Sequence, residues 1–354
     1  GGGEPEQLIR FGLGAVRGVG AAAVDSILDA REAEGPFGSL FELCRRIDLK
    51  KANKRTLEGL LRAGAFDSIS GGRARAQLLG AIERAVEQGQ SAQRDRESGQ
   101  RGLFDMLGDD AGSTVHVEEY PDCEEWSPKE RLLGEREALG FYLTGHPLDR
   151  FSGDVERFAT TNVGHLRKDM HGNEVVIAGV ICDFREVQTR SGRGAMGFFQ
   201  LEDQYGRLET IVFPKTYARV DEETGLSVSE QIEQAGDEPV LACGRVEVET
   251  GDDGEVQRYK LLLDTLQPMA QARAERTAKV HLTLRQDQLT DAKLLQLKQV
   301  ISDHGGTCKM ELTVLVEDRY STSITFGDEF CVSADESLML ALHRLFGKSS
   351  VRLG

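Results

Sequence analysis

Phe11-Gly12-Leu13-Gly14-Ala15-Val16-Arg17-Gly18-Val19-Gly20, followed by Val24, Ile27 and Arg31 at helical spacing, is the stretch that decides how the chain begins to fold. Gly18 and Gly20 permit a tight turn, and they leave backbone N–H groups uncovered at the start of the next helix. The pattern is that of a helix-hairpin-helix. Such a turn can hold a phosphate on Arg17, Gly18, Val19 and Gly20, a contact that carries no base information. The bland alternative is a plain helix-turn-helix packing element.

Downstream, Asn53-Lys54-Arg55-Thr56-Leu57-Glu58-Gly59-Leu60-Leu61-Arg62-Ala63-Gly64-Ala65-Phe66-Asp67 completes a helical pair, with Leu57, Leu60, Leu61 and Phe66 as core and Gly64 as a helix stop. A further helix runs from about Arg73 to Gln90, with Leu78, Leu79, Ile82 and Val86 on one face. Composition then changes. Residues 88–99 and 108–125 are polar, offer little to bury and read as a flexible linker. Between them stands the apolar island Leu103-Phe104-Asp105-Met106-Leu107, preceded by Gln100. An apolar island within a linker is no core, so it reads as a docking peptide: Leu103 and Phe104 would fill a partner's pocket while the Gln100 amide bonds to its rim.

After a helix at Pro128 to Leu139, five apolar runs between Val175 and Leu266 read as strands, with a helix near Lys215 to Val220 or Ser229 to Gln234 between the third and fourth. That order suits a small five-stranded Greek-key barrel of the OB type. Phe184, Arg185, Arg190, Arg193, Phe199, Arg207 and Lys215 are its candidates for single-stranded DNA, since bases stack on exposed rings and cations neutralise the backbone. Strand alternation allows only one of Phe198 and Phe199 to face outward; the barrel as a bare scaffold is the competing reading. The stretch 270–278 is polar and reads as a second linker. The rest reads strand, helix (Asp291 to Ile301), two or three strands (Cys308 to Val332) and helix (Asp335 to Leu345), a small α+β domain. Leu338, Leu340, Leu342, Leu345 and Phe346 fit helical burial better than an interface.

The organisation expected is multidomain α and β: 1–90 a helix-hairpin-helix domain, 91–125 a linker with the docking peptide, 126–170 a helical connector, 171–270 the OB barrel and 279–354 the α+β domain. The net charge of the 354 residues is -16, so contacts to nucleic acid must be local or shared with protein partners. Six scattered cysteines suit reduced thiols, and no apolar run reaches membrane-spanning length. The start, Gly1-Gly2-Gly3-Glu4-Pro5, has no Met and is expected of a segment of a longer polypeptide.

Phe11 to Gly20 and Asn53 to Asp67 resemble the segment that follows the palm and fingers in the α subunits of bacterial DNA polymerase III, the C-family replicative polymerases. Gln100-Arg101-Gly102-Leu103-Phe104 looks like that family's peptide for the sliding clamp (β), and Glu135 to Leu148 is similar to its link into the barrel. The resemblance implies a DNA-directed DNA polymerase (a nucleotidyltransferase) as the parent polypeptide. It would act in DNA replication, be cytoplasmic and nucleoid-associated, and use Mg2+ at carboxylates that lie upstream. No catalytic residue, cofactor or metal is expected in this segment itself. The implied partners are duplex DNA, single-stranded template, the clamp and, through 279–354, the clamp-loader τ subunit. Two other readings stand beside this one: the matching part of an error-prone α-type polymerase, and a free-standing repair or interaction module. His146, a single histidine before Pro147 with no partnered nucleophile, reads as structural.

Overall fold

The computed structural model describes residues 11–97, 117–189, 192, 194–222, 224–251, 255–316 and 320–354. They fall into two compact units, Gly1–His146 and Pro147–Gly354. The division cuts through the stretch expected to be one connector, 126–170.

In the first unit a single 3-10 turn (Leu13–Ala15) leads into α1 (Ala21–Glu34), α2 (Leu40–Arg46), α3 (Lys54–Arg62), α4 (Arg75–Glu97) and α5 (Pro128–Leu139). Local chemistry sets the ends. Ser39 Oγ accepts from the Glu42 N–H at 3.1 Å, and Asn53 Oδ1 accepts from that of Thr56 at 3.1 Å, which caps α2 and α3. Ser127 and Glu130 form a reciprocal capping box on α5. Gly64 ends α3 at φ 79°, and a Cβ there would also come within 2.4 Å of Arg75 Nη2. Leu40, Phe41, Leu57, Leu60, Leu61, Leu78 and Ile82 form the buried centre.

Arg75, at the start of α4, ties the α3–α4 turn to α5. Its guanidinium reaches Asp67 at 2.6 Å and Glu135 at 3.1 Å, and the fully buried Glu135 carboxylate also accepts from the N–H groups of Leu143 and Thr144. A buried carboxylate needs this many donors to be tolerated.

Two boundaries differ from expectation. Helix α4 continues to Glu97, and residues 117–126 lie along the helices as a strap. Tyr120 meets Phe41 edge-on at 5.3 Å and lies under Arg73, while Glu118 accepts from Ser39 Oγ at 2.6 Å. Glu125 accepts from the N–H groups of Arg75 and Ala76 and so caps α4. At the strap's start, Gln88 Nε2 donates to the Val117 carbonyl at 3.4 Å. Polar composition concealed this, because the strap docks by individual caps and two rings, Tyr120 and Trp126, rather than by a periodic apolar face.

The second unit opens with a 3-10 turn (Pro147–Phe151) and α6 (Ser152–Phe158). Strands β1 (Glu174–Gln188), β2 (Ala195–Glu202) and β3 (Arg207–Val212) come next, then α7 (Pro214–Tyr217) and α8 (Val228–Ala235), then β4 (Val240–Thr250) and β5 (Val256–Pro268). The strands close into a barrel in the order β1-β2-β3-β5-β4, with β3 and β5 parallel and β1 sealing against β4. This is the five-stranded Greek-key order expected of the OB type. Ile177, Phe199, Leu201, Val212, Val240 and Leu261 fill it.

The stretch expected to be a second linker is instead α9 (Met269–Arg276), with Met269, Ala272 and Arg273 buried. Arg273 pairs with Asp154 of α6 at 2.5 Å inside the protein, which supplies the partner a buried cation requires. A reader of sequence sees two arginines and a glutamate; only the fold shows that one arginine points inward.

Beyond α9 come β6 (Lys279–Arg285), α10 (Asp291–Asp303), β7 (Gly305–Val316), β8 (Tyr320–Thr325), α11 (Glu336–Phe346) and β9 (Val351–Leu353). They build a four-stranded sheet ordered β8-β7-β6-β9, in which β6 and β7 run parallel across the α10 crossover. Leu338, Leu342 and Phe346 are buried in its core, Leu345 packs partly against it, and Leu340 is exposed. The short β9 gave no strand pattern in the sequence.

Candidate nucleic-acid interface

The hairpin places its residues by opposing demands. Val16 and Val19 are buried against the helical core, and this turns the backbone between them outward. Gly18 takes φ 79°, a conformation open to glycine at little cost. Gly20 is the N-cap of α1, so no side chain caps that helix, and its first turn holds no acidic residue. The N–H groups of Ala21 and Ala22 have no acceptor among the described residues. Arg17 is exposed, while its own N–H donates to the Ala138 carbonyl at 2.8 Å and so fixes the turn on the end of α5. The hairpin thus carries uncovered N–H groups at a helix N-terminus, and three residues before Gly20 an exposed arginine whose guanidinium lies close to Gly140 at the end of α5. Chemically that helix start suits an anion.

On the barrel, β1 carries a bulge between Cys182 and Arg185, with Asp183 at φ 52°. The extra residue re-aims the strand end. Phe184 packs partly against the core, and the exposed Arg185 stacks over Phe198 at 5.5 Å. Phe199 faces Thr210 across β2 and β3 and is 1% exposed, so it is core. Its place as a base-stacking candidate is withdrawn in favour of Phe198, the alternate residue on the outer face. Phe213, 47% exposed, and Lys215 lie together at the end of β3 and start of α7.

Arg207 is exposed but paired with Glu202 at 2.9 Å and Asp183 at 3.6 Å. Arg258 and Lys260 are likewise matched by Glu209 and Glu249. The β3–β5–β4 face thus neutralises itself, whereas the β1–β2 edge presents rings with Arg185. On that edge Tyr217 donates to Glu186 at 2.8 Å; burial and then this carboxylate push its phenol up to about 12. Arg190 and Arg193, in the hairpin between β1 and β2, lie outside the described residues, as do Gln100, Leu103 and Phe104.

Sequence reasoning missed a second group. Arg157 and Arg276 both lie over the Phe158 ring, each 5.2 Å from its centroid. Arg157-Phe158 gives no signal by itself, and Arg276 belongs to the stretch expected to be a linker. Among the described residues no cluster of three or more His, Cys, Asp or Glu side chains could hold a metal ion, and no helix is long and apolar enough to cross a membrane.

Comparison with known proteins bears on these arrangements. Residues 3–78 match the helix-hairpin-helix motif family. The DNA polymerase III subunit alpha of Pseudomonas fluorescens is 32% identical over 361 aligned residues, covering 98% of this chain and 29% of that protein. Its counterpart in Pseudomonas aeruginosa is also 32% identical, with the same coverage of each. That of Escherichia coli strain K12 is 31% identical over 98% of this chain and 28% of its own length. Among solved structures, OBody AM2EP06 bound to hen egg-white lysozyme is 14% identical with a TM-score of 0.22, covering 31% of this chain and 92% of that one. That likeness is too slight to add to the barrel's own strand order. The chain spans under a third of the length of these curated relatives. Over nearly all of its own length it is a relative of the bacterial DNA polymerase III alpha subunits, in a match consistent with their C-terminal portion.

Proposed function

We propose that this chain is the DNA-holding and docking part of a replicative polymerase of that kind. The hairpin would grip duplex phosphates and the barrel would guide single-stranded template. The peptide at Gln100, Leu103 and Phe104 would take the sliding clamp, and the last domain would meet the clamp-loader τ subunit. Metal-dependent polymerisation, with Mg2+, is placed outside these residues, in the cytoplasm of a bacterium.

The observation that carries the reading is the uncapped start of α1, where Gly20 leaves the N–H groups of Ala21 and Ala22 uncovered. Glycine is a tolerated N-cap, a few tenths of a kcal/mol below Ser, Asp or Asn, and it brings no acceptor to cover those N–H groups. Gly20→Asp tests it, because an added Cβ meets nothing within 4 Å there and the variant should fold. A carboxylate at the N-cap should raise stability by about a few tenths of a kcal/mol yet weaken binding to a short duplex. Duplex affinity that holds or improves with the added carboxylate would remove the hairpin from the interface. For the docking peptide, Leu103→Ala with Phe104→Ala should cost at least about 2 kcal/mol of affinity for purified clamp; unchanged affinity would end that assignment.

A further inference from the structure

Helices α6 and α9 lie over β1 and β4, where Leu148, Phe151, Ala178, Leu241, Met269 and Ala272 form a small core of their own. Phe158 packs partly on this core. Two arginines of these helices, Arg157 and Arg276, converge on its ring, both exposed. Attraction to the ring face holds a guanidinium in place, but it neutralises no charge. Each arginine also ends a helix, which suits a cation. Neither fact accounts for two like charges sharing one ring.

The nearby carboxylates are engaged elsewhere. Asp154 is committed to the buried Arg273. Glu275 accepts from Gln267 and Gln271, each at 2.6 Å. Glu156 lines the adjoining cleft with His165 and Tyr205 and makes no ion pair with either arginine. Among the described residues no carboxylate pairs with Arg157 or Arg276, in a chain with 59 acidic and 43 basic residues. Arg276 is held in orientation by Gln267, whose Oε1 accepts from Nη2 at 2.9 Å. Two guanidinium groups on one ring, with no carboxylate paired to either, suit an external anion, and planar guanidinium favours the oxygens of a phosphate.

We propose that Arg157 and Arg276, set on Phe158, bind backbone phosphate of single-stranded DNA where α6 and α9 cover the barrel. The proposal rests on the reading of the barrel as a single-strand guide and extends the track away from the β1–β2 edge. It adds electrostatic grip without base preference.

The test measures binding of the full chain to an oligothymidylate across a range of salt concentrations. Single-strand binding weakens with salt by a slope of about 0.7 per phosphate contact, so Arg157→Gln with Arg276→Gln should flatten the slope by about 1.4. Arg157→Lys with Arg276→Lys retains both charges and should retain most of the slope. Arg258→Gln, a cation already matched by Glu209, should leave it unchanged. An unaltered slope in the double glutamine variant overturns the proposal. So does equal flattening in the lysine pair, which would mark a packing role, or in Arg258→Gln, which would mark a diffuse field. If the unmodified chain binds no oligothymidylate, the single-strand reading itself fails; that outcome is distinct, because there is then no slope to compare.

Discussion

Under the proposed function the hairpin and the barrel would meet nucleic acid in opposite ways. At the hairpin the groups left uncovered are backbone N–H groups, and side chains matter by being absent or by being buried behind them. At the barrel the backbone is spent on strand pairing, and only side chains on the outer face remain. Changes at the hairpin therefore act through conformation, while changes at the barrel act through which side a residue faces.

The sharpest way to break that contrast lies within one strand. Phe199→Ala should destabilise the barrel by about 3–5 kcal/mol, read as a lowered denaturation midpoint. Its neighbour Phe198→Ala should leave the midpoint nearly in place while costing about 1–3 kcal/mol of single-strand affinity. If both behaved alike, the two faces of β2 would not be separated as described. Next in size is Gly18→Ala, which forces a side chain into the left-handed region at φ 79°. It should cost about 1–2 kcal/mol of stability, and thermal melting would show it; a barrel residue on the outer face should show no such penalty.

The smallest effect concerns the strap. Burial pushes the Glu125 carboxyl up, but the N–H groups of Arg75, Trp126 and Ala76 outweigh it and hold the group below its ordinary value. A depressed carboxyl contributes stability above its unfolded value and loses that contribution as pH falls through its folded one. The melting-temperature gap between the unmodified chain and Glu125→Gln should therefore be full at neutral pH and shrink only in acid. A gap that grew in acid would reverse the assignment.

How much of this was legible depended on whether the signal was local. The five barrel strands and most helices could be read, because period-two and period-3.6 patterns live within a few residues. Gly18 and Gly20 were legible for the same reason, since a turn needs its glycines close together. The face of Phe199 was not, because two adjacent aromatics satisfy either parity and only closure of the barrel decides between them. Nor was α9, whose buried Arg273 makes sense only beside Asp154, far off in sequence. The Arg157 and Arg276 group was concealed for that reason too.

The strap has one more consequence. The Val117 carbonyl is held by Gln88 on α4, and from Gln88 to Glu97 is about 14 Å of helix. The chain that leaves α4 at Glu97 therefore returns to the same helical unit at Val117, where a linker from one domain to the next was expected. A partner that took Leu103 and Phe104 would therefore hold a stretch of chain whose two flanks, Glu97 and Val117, both belong to the helical unit.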